Sequence, residues 1–230
     1  MSALLRSRLA VLALVFPVFV LLPSRARALD VDGQGWIQMI TQGPIAGRLN
    51  AYLEVQPRLH GGDGLQVEKL LVRPALFWQA TPAWSFWLGY NYAPTFHPYR
   101  DEQQVWQQVM YLRRFAGFSL LNRTRLEQRM LSGAGGVAVR LRHQLRAMVP
   151  LPSNPAWALV AFDEGFVHLN TVSSGAVSGF DQNRIFLGVS RQLTSQLRAE
   201  VGYQNVFVLR SGETPDRLLH VALTSIVLSF

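Results

Sequence analysis

Val137-Ala138-Val139-Arg140-Leu141-Arg142-His143-Gln144-Leu145-Arg146-Ala147-Met148-Val149 alternates, residue by residue, between two chemistries. One set, Val137, Val139, Leu141, His143, Leu145, Ala147 and Val149, is almost wholly apolar, and the interleaved set carries Arg140, Arg142, Gln144 and Arg146. Successive side chains of a strand point to opposite faces. The stretch therefore predicts a long strand with an oily face and a cationic face. Working outward, the same pattern returns in both directions. Leu49, Ala51, Leu53 and Val55 alternate with Arg48, Asn50, Tyr52, Glu54, Gln56 and Arg58. Trp84, Phe86, Leu88, Tyr90 and Tyr92 alternate with Ser85, Trp87, Gly89 and Asn91. Soluble strands are usually about 5–6 residues long, whereas a tilted membrane strand needs ~9–11. Most of these segments reach the longer range. The fold expected is all-β: an antiparallel transmembrane β-barrel with an Arg/Glu-rich lumen.

The N-terminus reads as a targeting segment. Arg6 and Arg8 precede an apolar run from Leu9 to Leu22, and Ala26-Arg27-Ala28 has the small-x-small form of a cleavage site. At ~14 residues the run is short for a membrane-spanning helix, which needs about 20. Residues 1–28 are therefore expected to be a signal peptide removed near Ala28, leaving one barrel domain over residues 29–230. Loss of the four arginines Arg6, Arg8, Arg25 and Arg27 would lower the formal charge from +8 to +4. The chain has no cysteine, so disulfides and thiolate metal sites are excluded. Beyond the leader, every cation except Lys69 is arginine. Arginine keeps its charge in dry surroundings and forms forked pairs with carboxylates. Because the arginines are spread over many strands rather than clustered in a stripe, nucleic acid is not an expected partner.

The expected strands run Gly35–Gln42, Gly47–Leu59, Leu65–Gln79, Trp84–Ala93, Gln104–Arg114, Phe118–Leu131, the opening stretch, Ala156–Leu169, Asn183–Gln192, Leu197–Leu209 and Leu218–Phe230. Connections alternate short and long, as in outer-membrane barrels with short periplasmic turns and longer external loops. Eleven segments conflict with closure of a purely antiparallel sheet, which needs an even number. About twelve strands are expected, with ten as the alternative. The polar face of Gln104–Arg114 is ambiguous: Trp106, Met110 and Leu112 compete with Val105, Val109 and Tyr111 for the lipid side.

Turning the polar faces inward places Arg48, Glu54, Arg58, Arg73, Arg123, Arg125, Glu127, Arg129, Arg140, Arg142, Arg146, Arg184, Arg198 and Glu200 in the lumen. They predict either a packed Arg/Glu network filling a narrow barrel or a cationic lining that contacts small anions. Phe180–Arg184 reads as a turn capped by Asp181 and Asn183 with Arg184 entering the lumen, or as part of a constriction formed with Arg125, Glu127 and Arg129. The competing enzymatic reading is a lipid-modifying hydrolase using a Ser/His pair. His60 and His97 lie in expected loops, and His143 and His220 on the oily face. That leaves His168, near the Ser173, Ser174 and Ser178 loop. No metal cluster or cofactor motif occurs, and no catalytic residue, metal or cofactor is assigned.

Several stretches carry a family resemblance: Leu70-Leu71-Val72-Arg73-Pro74, Leu88-Gly89-Tyr90, Val105-Trp106-Gln107-Gln108, Arg123-Thr124-Arg125-Leu126-Glu127-Gln128-Arg129, Phe180-Asp181-Gln182-Asn183-Arg184 and Glu200-Val201-Gly202-Tyr203. In this order the chain resembles the bacterial outer-membrane family known as domain of unknown function 2490. Where that family usually has a basic residue two positions before the Trp, this chain has Gln104. The resemblance implies an outer-membrane barrel with an Arg/Glu interior. The terminal Leu228-Ser229-Phe230 further resembles the aromatic C-terminal signal read by the barrel-assembly machinery of Gram-negative bacteria. The expectation is thus a porin-like or structural outer-membrane barrel in contact with lipid, either a membrane component or a narrow anion-preferring pore.

Overall fold

The computed structural model describes residues 29–230 except Asp63, His97 and Ser174. The expected signal segment 1–28, with its cleavage site at Ala28, lies outside the described residues, as do His97 and Ser174. Among the described residues the architecture is all-β: a closed mixed barrel of eleven wall strands plus two short strands outside the wall. The wall consists of β1 (Leu29–Ala46), β2 (Leu49–Gly62), β3 (Gly64–Gln79), β4 (Trp84–Tyr92), β7 (Glu102–Arg114), β8 (Ser119–Leu131), β9 (Val137–Leu151), β10 (Asn154–His168), β11 (Gly179–Gln192), β12 (Leu197–Val208) and β13 (Asp216–Ser229). The two-residue strands β5 (Thr95–Phe96) and β6 (Tyr99–Arg100) form a small hairpin in the connection after β4, and β5 reaches β3 through Thr95 and Lys69.

Sequential neighbours around the wall are antiparallel, and closure is not. β1 pairs antiparallel with β2 on one edge and parallel with β13 on the other, from Leu29↔Asp216 to Gln42↔Ser229. The expected even count of about twelve is therefore corrected to eleven. A parallel seam absorbs the odd strand, and a period of two in the sequence carries no information on a neighbour's direction. The register also puts Leu29 and Phe230 at opposite rims. β11 begins at Gly179, which replaces the expected capped turn at Phe180–Arg184 with strand.

One rim is built from short turns: Gly47-Arg48, residues 80–83, 115–118, 152–153 and 193–196. Gly47 has φ 55, the left-handed conformation that a two-residue hairpin demands. Thr81 and Thr194 use one device at two places. Each Oγ1 accepts from the backbone two and three residues on: Ala83 and Trp84 at 3.2 and 3.0 Å, Gln196 and Leu197 at 3.2 and 3.0 Å. The opposite rim carries the longer connections 93–101, 132–136, 169–178 and 209–215, with the tight β2–β3 hairpin.

Side chains separate sharply by face. Leu88, Leu187, Val201, Trp78 and Tyr203 project outward and are exposed, while Glu127, Trp106, Phe166 and Phe186 are fully buried inside. The ambiguity in β7 resolves with Trp106 inside and Val105 and Val109 outside; Tyr111 packs against Trp84 at 4.6 Å between ring centroids. Trp106 fits because its register partner is Gly89, where an added Cβ would fall 2.2 Å from the indole. Phe186 similarly lies against the Gly188–Gly202 pair, where added Cβ atoms would fall 2.5 and 2.6 Å from its ring. Beside the expected Arg/Glu-rich part, the interior has an apolar part. Trp36, Val160, Phe162, Phe186, Val206, Leu219, Val221 and Leu223 form one buried apolar cluster along β1 and β10–β13. Of these strands β10 is apolar on both faces, so alternation could not choose its inner side.

Candidate functional site: the arginine-lined lumen

The charged half of the interior is built by β8 and β9. Alternation on β8 turns Arg123, Arg125, Glu127 and Arg129 inward, and β9 does the same for Arg140, Arg142, Gln144 and Arg146. The register sets Arg125 opposite Arg142 and Glu127 opposite Arg140. Like charges facing one another need carboxylates between them, and these come from three strands. Glu127 Oε2 accepts from Arg140 Nε and Nη2 at 2.8 and 2.6 Å, and its Oε1 accepts from Arg142 Nη1 at 2.7 Å. Glu164 Oε1, on β10, accepts from Arg142 Nη2 at 2.9 Å and Arg123 Nη2 at 2.7 Å. Asp181, on β11, accepts from Arg140 Nη1 at 3.0 Å. A continuous chain thus runs Asp181–Arg140–Glu127–Arg142–Glu164–Arg123. Breaking a buried pair by removing one partner typically costs about 3–5 kcal/mol, which makes Glu127 the keystone.

Two smaller networks flank this chain. Glu54 accepts from Arg73 Nη1 at 2.6 Å, Gln38 at 2.8 Å and the Tyr52 hydroxyl at 2.7 Å. Glu102 accepts from Arg129 Nε at 2.6 Å, Lys69 at 3.1 Å and Gln104 at 2.5 Å. Gln104, in the place of the expected basic residue, thereby supplies a neutral donor to the same carboxylate. Nearer the short-turn rim, Glu200 pairs with Arg146, whose Nη1 lies 3.1 Å from Oε1.

Four arginines stand apart. Among the described residues, Arg58, Arg184 and Arg198 make no ion pair within 4 Å, and Arg125 reaches Glu127 only at 3.9 Å. Three of them lie over aromatic rings instead. Arg125 is 3.8 Å from the Trp106 centroid, Arg58 is 3.7 Å from Trp36, and Arg184 is 4.6 Å from Phe166 and 5.2 Å from Trp36. Such cation–π contacts are worth ~2 kcal/mol when desolvated, and they leave guanidinium donors without anionic acceptors.

Voids lie along the lumen, separated by side chains. A cavity of about 580 Å³ lies towards the short-turn rim, bounded at its deep end by Arg73, Arg125, Arg142, Glu164 and Arg184 and nearer the rim by Arg114 and Arg198. A pocket of about 110 Å³ sits in the middle among Arg58, Lys69, Arg129 and Arg140. A third, of about 550 Å³, is lined by Arg129, His168, Asp181 and the 175–178 and 209–214 connections. Arg73, Arg142 and Arg184 line both the first void and the second, and Arg129 lines both the second and the third. These side chains are the partitions.

All ten residues singled out from the sequence as a lumen network, Arg73, Arg123, Arg125, Glu127, Arg129, Arg140, Arg142, Arg184, Arg198 and Glu200, face this interior. Arg48 does not: it sits exposed at the short-turn rim, donating to Ala80 O at 2.9 Å. Asn183 faces outward and donates to Asp163 at 2.6 Å, so the proposed joint cap with Asp181 does not form. Sequence reasoning missed Glu102, assigned to a loop, and Glu164, Asp181 and Lys69. The adjacent acids Asp163-Glu164 inside an apolar strand were the available signal, since adjacent positions cannot share a face. His168 is buried. Arg129 Nη1 approaches its Nε2 at 2.8 Å and Asp181 lies 3.9 Å away. The Ser178 hydroxyl contacts the His168 backbone carbonyl at 3.5 Å rather than the ring.

Comparison with known proteins bears on this lumen. No solved structure matches the chain. An uncharacterized protein of Methylorubrum extorquens is 35% identical over 192 residues, covering 79% of this chain and 82% of the relative. The family model described as "Protein of unknown function (DUF2490)" matches residues 33–217, which takes in β1 to the start of β13 and every residue of the charged network. The chain belongs to the DUF2490 family.

Proposed function

We propose that the protein is a β-barrel of a bacterial outer membrane, whose narrow lumen prefers anions and is constricted by Arg73, Arg142 and Arg184. One observation carries the reading: large apolar side chains lie outside and the arginine–carboxylate network lies inside, the inverse of a soluble β-sandwich. Guanidiniums outnumber carboxylates in the enclosed space, so the lining is net positive and a passing or resident anion is favoured over a cation. The short-turn rim is taken as periplasmic. Phe230, whose ring packs on Gly43 and whose N–H donates to Gln42 O at 3.1 Å, ends the strand that the assembly machinery would read.

Reconstitution tests both parts. The protein should require detergent for extraction from a membrane fraction. In planar bilayers it should give small, anion-biased conductance that grows, with weaker anion bias, in Arg184→Ala. Recovery in the aqueous phase without detergent would refute the membrane reading, and cation-biased current would refute the anion-preferring lumen. A barrel silent at every voltage would leave the structural role.

A further inference from the structure

The cavity at the short-turn rim has two unlike sides. Along one, Trp36 and Ile40 of β1 face Leu223 and Val227 of β13 with Phe162 nearby, an apolar track along the seam interrupted by Gln38 and Ser225, which hydrogen-bond to each other at 2.8 Å. At its deep end are guanidiniums without a close carboxylate. Arg184 has no carboxylate in ion-pair range among the described residues and donates to the neutral Gln182 amide oxygen, and Arg125 donates to Gln108 Oε1 at 2.8 Å and has Glu127 only at 3.9 Å. Gln204, 3% exposed, lines the same floor with its Nε2 unbonded. Arg184 and Gln204 occupy diagonal inward positions on neighbouring strands, since Arg184 pairs with Val206 and Gln204 with Phe186. A buried donor without a partner is costly, so an anionic group that accepts from Gln204 beside the Arg184 charge would be stabilised there.

We propose that this cavity binds an amphiphilic organic anion, with its carboxylate-type head accepting from Arg184 and Gln204 and its apolar body lying along the Trp36–Val227 track. The inference deepens the anion-preferring lumen and rests on that reading. Size agrees: about 580 Å³ falls within the ~300–1,000 Å³ of small-ligand sites. From Trp36 to Ile40 the track spans roughly 13 Å at ~3.3 Å per residue, enough for a medium-length acyl chain. Arg114 and Arg198, near the rim, give an entering anion a cationic mouth, and the unbonded Arg198 Nε is a further donor there. The apolar track rejects a bare inorganic ion, and the floor rejects an alkyl cation.

The test uses the full mature barrel in phosphatidylcholine nanodiscs, with 11-(dansylamino)undecanoic acid as the probe and tryptophan-to-dansyl energy transfer as the readout. Dodecanoate should displace the probe at least tenfold more effectively than dodecanol or dodecyltrimethylammonium, and acetate or phosphate should displace it poorly. Gln204→Leu, close in size and free of a buried charge, should weaken probe binding about tenfold, and Arg184→Met at least as much. Arg48→Ala, at the rim outside the cavity, should leave binding unchanged. Equal displacement by dodecanol or by the alkyl cation would overturn the proposal, as would unchanged binding in Gln204→Leu and Arg184→Met together. Displacement by acetate as strong as by dodecanoate would overturn the amphiphile while leaving the anion-preferring lumen in place. Extraction without detergent would count against the membrane reading alone.

Discussion

The two halves of the barrel interior solve the same problem by opposite means. Around β8 and β9 the space is filled by long arginines that a few carboxylates hold in place, with Glu127 at the centre. Around β1 and β10–β13 it is filled by rings and aliphatic side chains, with Phe186 lying on a pair of glycines. The first arrangement is directional, and losing one partner strands the others. The second is collective, and losing one side chain leaves a void that neighbours partly fill. The seam between the halves is where unpaired donors meet apolar surface, and the cavity floor lies there.

The comparison can be broken by substitution, using urea unfolding of the reconstituted barrel followed by tryptophan fluorescence. Glu127→Ala is expected to have the largest effect, about 3–5 kcal/mol, because Arg140 and Arg142 both lose a buried acceptor. Stability within ~1 kcal/mol of wild type would mean that the charged half is dispensable. Leu223→Ala, in the apolar half, should cost about 2–4 kcal/mol. Combined with Glu127→Ala it should add to within ~0.5 kcal/mol if the halves are independent; a larger coupling would show that they share one cooperative core. Gly89→Val should cost about 1–3 kcal/mol by driving a side chain into Trp106, and Trp106→Leu in the same chain should recover part of that loss. Arg48→Ala should change stability by less than ~0.5 kcal/mol. An effect as large as that of Glu127→Ala would erase the distinction between rim and lumen arginines.

Much of this was legible in the sequence where the two faces differ. Arg123, Arg125, Glu127 and Arg129 alternate with less polar neighbours, and their inward placement followed from periodicity alone. It was not legible where the faces agree. Val160, Phe162 and Phe166 alternate with Leu159, Ala161 and Val167, so nothing local told inside from outside on β10. The inward Glu164 went unnoticed for the same reason. The strand count failed on a different point. Eleven segments were read, and only the assumption of antiparallel closure raised the number, because alternation leaves no trace of the parallel β1–β13 pairing. The first strand also begins at Leu29 rather than Gly35: Asp32 lies beside Arg217, 2.6 Å from its Nη2, and Gln34 bonds to the Trp36 indole at 2.8 Å. Those partners come from across the closing seam or from the strand itself, and only the closed barrel brings the distant ones together.

That seam bears on how the cylinder would come apart. Ten of the eleven joints are antiparallel, and most of them link strands adjacent in the chain, so a broken joint is tethered and re-forms locally. The joint between the first and last strands has slanted bonds of slightly lower stability per residue, and no short tether to bring its edges back. It is the natural unzipping line, and amide exchange should be fastest there among the wall strands. The apolar track of the cavity runs along that line, so a molecule bound inside would act as a clasp, fastening the barrel from within.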